Sequence, residues 1–95
     1  RTVEGAEGGR IDEAVGLIEA AAHEYPENTG VLLQACQINC MALRLKKEAN
    51  AERIEKIQGY LGELERLMPG QDRVVMMRRY FRETLGTLDA PSLQH

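Results

Sequence analysis

Apolar residues recur at steps of three and four along most of the chain, with charged residues between them. That rhythm predicts amphipathic helices and leaves no candidate strand. In a first helix Ile11, Ala14, Val15, Ile18, Ala21, Ala22 and Tyr25 share one face, with Asp12, Glu19 and His23 opposite. Pro26 stops it, because proline lacks the N–H that the next turn needs. After the turn over residues 26–30, with Asn28 or Thr29 as N-cap, Val31, Leu32, Ala35, Cys36, Ile38, Ala42, Leu43 and Leu45 form a wide apolar face. Asn39 falls inside that face and needs hydrogen-bond partners if buried. Asn50 is the best cap for a third helix carrying Ile54, Ile57, Leu61, Leu64 and Met68, ended by Pro69-Gly70. Gly59 and Gly62 inside it each cost ~1 kcal/mol relative to alanine. A fourth helix from Asp72 to about Leu85 aligns Val74, Met77, Phe81, Leu85 and Leu88.

The expected class is therefore all-α, four antiparallel helices in one domain. Residues 1–9, rich in glycine, read as a linker, residues 10–88 as the helical domain, and residues 89–95, containing Pro91, as a flexible tail. A chain of 95 residues leaves no room for a second domain. Tyr25, Tyr60, Tyr80 and Phe81 are its only aromatic residues, so the core is aliphatic.

The net charge of −3 disfavours nucleic acid and anionic membrane as partners. The charge is uneven. Residues 1–43 carry two arginines against seven acids (−5), and residues 44–95 carry ten basic residues against eight acids (+2). No apolar run reaches the ~18 residues of a membrane span, and no signal-peptide organisation is visible. Cys36 and Cys40 are too few for a disulfide framework, so the expected setting is reducing and cytoplasmic.

Catalytic chemistry finds little material. The single serine is Ser92, in the tail, and no Cys–His pair with a supporting acid is brought together by helix geometry. The carboxylate pairs Asp12-Glu13 and Glu63-Glu65 fall on solvated faces. Cys36 and Cys40 lie one helical turn apart, but with only His23 and His95 as histidines a tetrahedral metal site has no complete ligand set. Cys36 then reads as a small packing residue and Cys40 as a partly buried thiol. No enzyme, metal or other cofactor is expected. Arg73, Arg78, Arg79 and Arg82 crowd the fourth helix beside Tyr80, a mixture better suited to acids on a protein than to nucleic acid.

Gly9, Ala14, Ile18, Ala21 and Pro26, spaced five, four, three and five, resemble the second helix of a tetratricopeptide repeat. Small residues at Ala14 and Ala21 let a neighbouring helix approach, Ile18 fills the gap between them, and Pro26 sets the turn into the next repeat. Ile18 departs from the aromatic residue usual there. Leu32, Ala35 and Cys36 continue the likeness, and Ile57, Leu61, Leu64 and Pro69 repeat it loosely at spacings of four, three and five. Ile57 and Leu64 are large where the family prefers alanine. Pro26 and Pro69 stand 43 residues apart, nine more than a usual repeat. The resemblance implies one good and one degenerate helix pair. A plain four-helix bundle is the alternative fold.

A narrower likeness rests on Gly9-Arg10-Ile11-Asp12-Glu13-Ala14, the long second helix, and Tyr60-Leu61-x-x-Leu64-x-x-Leu67-x-Pro69. These resemble bacterial response regulators in which a short repeat domain follows a phospho-accepting receiver domain. A receiver domain would then be expected ahead of Arg1.

The resemblance implies a non-enzymatic protein–protein interaction module, with the second and fourth helices lining a groove. Gln34, Gln37, Met41, Arg44, Val75, Met76, Arg79, Tyr80 and Arg82 are the candidate contact residues. An apolar, acidic peptide is the expected occupant. Two rival readings use the same residues: they cover a neighbouring helix, or the fourth helix is the seam of a structural homodimer.

Overall fold

A computed structural model describes the backbone of residues 3–93 and the side chains of residues 10–88. Over that span the protein is all-helical, with α1 (Val3–Glu24), α2 (Thr29–Lys46), α3 (Ala51–Leu67) and α4 (Asp72–Leu93). The capping asparagines act as the sequence predicts. Asn28 Oδ1 accepts from the Val31 N–H at 3.1 Å, and Asn50 Oδ1 accepts from the Arg53 N–H at 3.0 Å. α2 ends on Lys47, which adopts the left-handed conformation (φ 51°) that a helix C-terminus commonly needs.

Two helices are longer than their sequence pattern suggests. α1 begins at Val3, so most of the expected linker over residues 1–9 is helical; residues 1 and 2 lie outside the described residues. Glycine weakens a helix by ~1 kcal/mol per residue without blocking it, and no proline precedes Pro26 to stop a helix already nucleated. α4 likewise runs through Pro91 to Leu93, across most of the expected tail, with residues 94 and 95 outside the described residues. A proline two residues from the helix end forfeits a single backbone hydrogen bond.

α2 is the hub, packing against α1, α3 and α4, and α3 also meets α4. Among the described residues α1 reaches the backbone of neither α3 nor α4. α1 and α2 are antiparallel: the early Asp12 pairs with the late Lys46 at 3.0 Å. α2 and α4 instead run side by side in the same direction, with Leu33 across from Met76, Arg44 from Thr84 and Lys47 from Thr87. The result is a slab of 39 × 36 × 20 Å with α1 and α4 on opposite flanks of α2.

The main core joins Leu32, Cys36, Cys40 and Leu43 of α2 to Ile57, Leu61 and Leu64 of α3 and Val74 and Phe81 of α4. Burying each large aliphatic side chain contributes ~1.5–3 kcal/mol. A smaller cluster seats Ile11 and Val15 of α1 on Ala42 of α2. The residues expected at the repeat contacts divide. Cys36 is fully buried, whereas Ala14, Ile18 and Ala21 are half-buried, Pro26 and Pro69 are exposed, and Gly9 falls within the helical backbone of α1. The small residues that are buried are Ala35 and Ala42 of α2, neither with any exposed surface, and Ala22 of α1. α1 thus turns Ile11, Val15 and Ala22 inward in place of the Ala14–Ala21 edge.

Cys40 is fully buried and not partly so. Asn39 is also fully buried; its Nδ2 donates to the Ala35 carbonyl at 2.8 Å, and its Oδ1 has no partner. Surface ion pairs fasten the edges: Glu19 with Lys56 at 3.0 Å, Arg66 with Glu63 at 2.6 Å, and Glu65 with Arg78 at 2.7 Å. Each contributes at most ~1 kcal/mol.

Candidate binding groove between α2 and α4

Thr84 faces α2 from the buried side of α4, and its hydroxyl organises the seam. It donates to the Tyr80 carbonyl at 2.8 Å and accepts from Arg44 Nε at 2.9 Å. The Arg44 guanidinium also stands over the Tyr80 ring, 4.8 Å from its centroid, within cation–π range. Cys40, fully buried on α2, adjoins this cluster and feels the Arg44 charge and the Thr84 side chain. One arginine therefore serves both a buried hydroxyl and an aromatic face, and it holds two parallel helices in register.

On either side of this clasp the seam opens. Towards the start of both helices lies a groove of about 510 Å³, lined by Leu33, Gln37, Arg73, Met76, Met77 and Tyr80. Towards their ends a second recess of about 440 Å³ is lined by Arg44, Lys47, Thr87 and Leu88. The first has an apolar floor with Gln37 and Arg73 at its rim, and the second has two cations. Among the described residues no acidic side chain lines either one. Met76 is 67% exposed, an unusual position for a large flexible apolar residue.

Of the residues singled out in the sequence, the structure brings Gln37, Met76 and Tyr80 together in the groove and puts Arg44 beside Tyr80. Gln34 and Met41 are exposed on α2 away from the lining. Val75, Arg79 and Arg82 are exposed as well but do not border the groove. At 3.6 residues per turn Val75 and Arg82 lie roughly 140–160° around α4 from Tyr80, on the flank turned from α2. Leu33, Arg73 and Met77 line the groove without having been assigned to it. A signal was present: Leu33, Gln37 and Arg44 share one side of α2 at steps of four and seven, as Arg73 and Tyr80 do on α4.

The thiols are not poised for chemistry. Burial, with Cys40 nearby as a lesser cause, pushes the Cys36 thiol up from its ordinary 9.0 to about 12. Burial pushes Cys40 up to about 11, against smaller opposing effects of the Thr84 side chain and the Arg44 charge. Both stay protonated at neutral pH and are neither nucleophiles nor ready metal ligands. Among the described residues no three of His, Cys, Asp and Glu converge as a metal site would need. No helix there is long and apolar enough to cross a membrane.

Compared with known proteins, the chain matches no family model, no curated protein and no solved structure.

Proposed function

We propose that the protein is a non-enzymatic interaction module that holds an apolar, acidic protein segment in the groove between α2 and α4. The observation that carries this reading is the exposed Met76 beside Arg73, over a floor of Leu33, Met77 and Tyr80. Methionine adapts to varied apolar side chains, and an arginine at the rim recognises a carboxylate by paired hydrogen bonds. The tetratricopeptide-like reading is supported by the helix arrangement. α2 packs on all three other helices, and α2 and α4 lie parallel, as the first helices of successive pairs would. Under the narrower likeness to bacterial response regulators, the groove would serve as the output contact of a cytoplasmic signalling protein. The exposure of Val75 (54%) favours a second reading, a homodimer seamed along α4.

Selection of peptides from a random library on the wild-type domain tests the first reading. The selected sequences are expected to carry at least two large apolar residues and an Asp or Glu. Arg73→Glu combined with Met76→Asp is expected to weaken their binding by at least ~2 kcal/mol while the domain stays folded. Unchanged binding by the folded double variant contradicts the groove assignment.

A further inference from the structure

The seam between α2 and α4 continues past the groove, across Tyr80, into the recess that Arg44 and Lys47 line with Thr87 and Leu88. Arg44 is the fixed point between the two cavities. Its Nε is held by the buried Thr84 hydroxyl and its guanidinium stands over Tyr80, so it has little side-chain freedom left to lose on binding. Its two terminal nitrogens have no partner among the described residues. An arginine pinned in this way, with donors free at a recess, is pre-organised to receive a carboxylate.

The charges along the seam agree in sign. α2 carries no acidic residue from Thr29 to Lys46. Arg44, Lys47 and Arg73 line the two cavities, and among the described residues none of the three has an ion-pair partner. Lys46, Lys56, Arg66 and Arg78, which line neither, are all paired within the molecule. The acids of the flanking positions lie outside both linings: Asp72 at the first position of α4, Glu83, and Glu48 in the connection to α3. Glu83 stands about 60° round α4 from Tyr80, on the side turned from α2. Arg79, one turn before Glu83, offsets it.

The spacing of the cavities is the same on both helices. Eleven positions separate Met76 from Thr87 on α4, and eleven separate Leu33 from Arg44 on α2. At ~1.5 Å per residue each span is about 16 Å, which an extended chain covers in about five residues. The Arg44–Tyr80 clasp interrupts the apolar floor between them, so a helix with a continuous apolar face finds no continuous bed. An extended backbone crosses the clasp with its own polar groups over the guanidinium.

We infer that the partner segment runs in extended form through both cavities and seats an Asp or Glu side chain on Arg44 and Lys47, about five residues from the apolar side chain it packs on Met76. This rests on the groove reading proposed above and adds a second anchor to it. The acid on Arg44 is separate from any carboxylate at Arg73, which lies at the opposite end of the seam. The partner is therefore recognised by two anchors at a set distance, one apolar and one acidic, and a segment lacking the second acid fills only half the seam.

Fluorescence-anisotropy titrations with labelled peptides of about sixteen residues, selected from a random library on the full 95-residue chain, test the inference. The selected sequences are expected to share an Asp or Glu about four to six residues from a large apolar residue. Replacing that acid by Lys in the peptide, which leaves the protein untouched, is expected to weaken binding at least about tenfold. Lys47→Glu combined with Thr87→Asp changes two exposed residues and puts carboxylates into the recess. With helicity unchanged by circular dichroism, that variant is expected to bind the original peptide at least about tenfold more weakly, and the Lys-bearing peptide more tightly, than the wild type does. Arg73→Glu combined with Met76→Asp is expected to weaken both peptides. Binding lost in the Arg73 and Met76 variant but unchanged in the Lys47 and Thr87 variant and by the peptide's Lys overturns this inference and leaves the groove reading standing. A shared spacing of about eleven residues, as a helical segment would show, overturns it as well. Binding unaffected by either protein variant, or the selection of no peptide, overturns both.

Discussion

Arg44 Nε donates a 2.9 Å hydrogen bond to Thr84 Oγ1, joining residues 40 positions apart in the chain. Thr84 has no exposed surface, so its hydroxyl must find partners inside the protein, and it finds them in Arg44 and the Tyr80 carbonyl. Thr84→Val keeps the shape and removes those bonds, leaving the Arg44 Nε–H without its acceptor. The expected cost is about 1–3 kcal/mol, read as a lower denaturant midpoint with an unchanged slope. Arg44→Met should cost a similar amount through loss of the same bond and of the stacking on Tyr80.

The buried thiols give stability a dependence on alkaline pH. Both have folded values raised above the ordinary 9.0, to about 12 for Cys36 and about 11 for Cys40. The native state therefore keeps protons that the unfolded chain releases. The contribution is fully present below pH ~9 and is lost as pH rises through the folded values, at up to ~1.4 kcal/mol per pH unit for each thiol. Tyr60, raised mainly by burial, adds in the same direction. Urea unfolding between pH 8 and 11 is expected to show falling stability, with a shallower fall in Cys36→Ala combined with Cys40→Ala.

Gly59 and Gly62 lie in the interior of α3 with open space where a Cβ would go. Neither has a positive φ, so neither position requires glycine. Gly62→Ala is expected to raise stability by about 0.5–1 kcal/mol, and thermal unfolding followed by circular dichroism reads it as a higher midpoint. Gly59→Ala is expected to do the same.

Asn39 leaves its Oδ1 unpaired in a fully buried site. An apolar replacement of similar shape removes that penalty along with the single bond to Ala35. Asn39→Leu is expected to be neutral to stabilising by ~1 kcal/mol in equilibrium unfolding. Asn39→Asp, which buries a charge with no cation at hand, is expected to destabilise strongly at neutral pH and less at pH 4.

Periodicity made the helix cores legible because each buries one face: Ile57, Leu61 and Leu64 read as core residues and are. The two asparagine caps were legible for the same local reason. Helix ends were not, since Val3 and Leu93 extend helices past glycines and a proline that raise the energy without deciding the outcome. Nor was the rotation of α1 legible: Ala14 and Ala22 both suit a helix contact, and only the partner surface on α2 chooses Ala22. In the groove, Gln37, Met76 and Tyr80 were readable as residues off the core stripe. Arg73 and Leu33 carried only a helical spacing shared with Tyr80 and with Gln37, and that spacing gains its meaning only once α4 lies parallel to α2. Thr84 was passed over for a related reason, since a lone threonine in a helix gains meaning only from Arg44 on its neighbour.

The central claim, that partners bind between α2 and α4, is tested most directly by amide chemical-shift mapping with a library-selected peptide titrated into the labelled domain. The account predicts that the largest shifts fall on Leu33, Gln37, Arg73, Met76, Met77 and Tyr80, and that Arg73→Glu abolishes them. Shifts concentrated on the outer flanks of α1 or α3, and unaffected by Arg73→Glu, would contradict it.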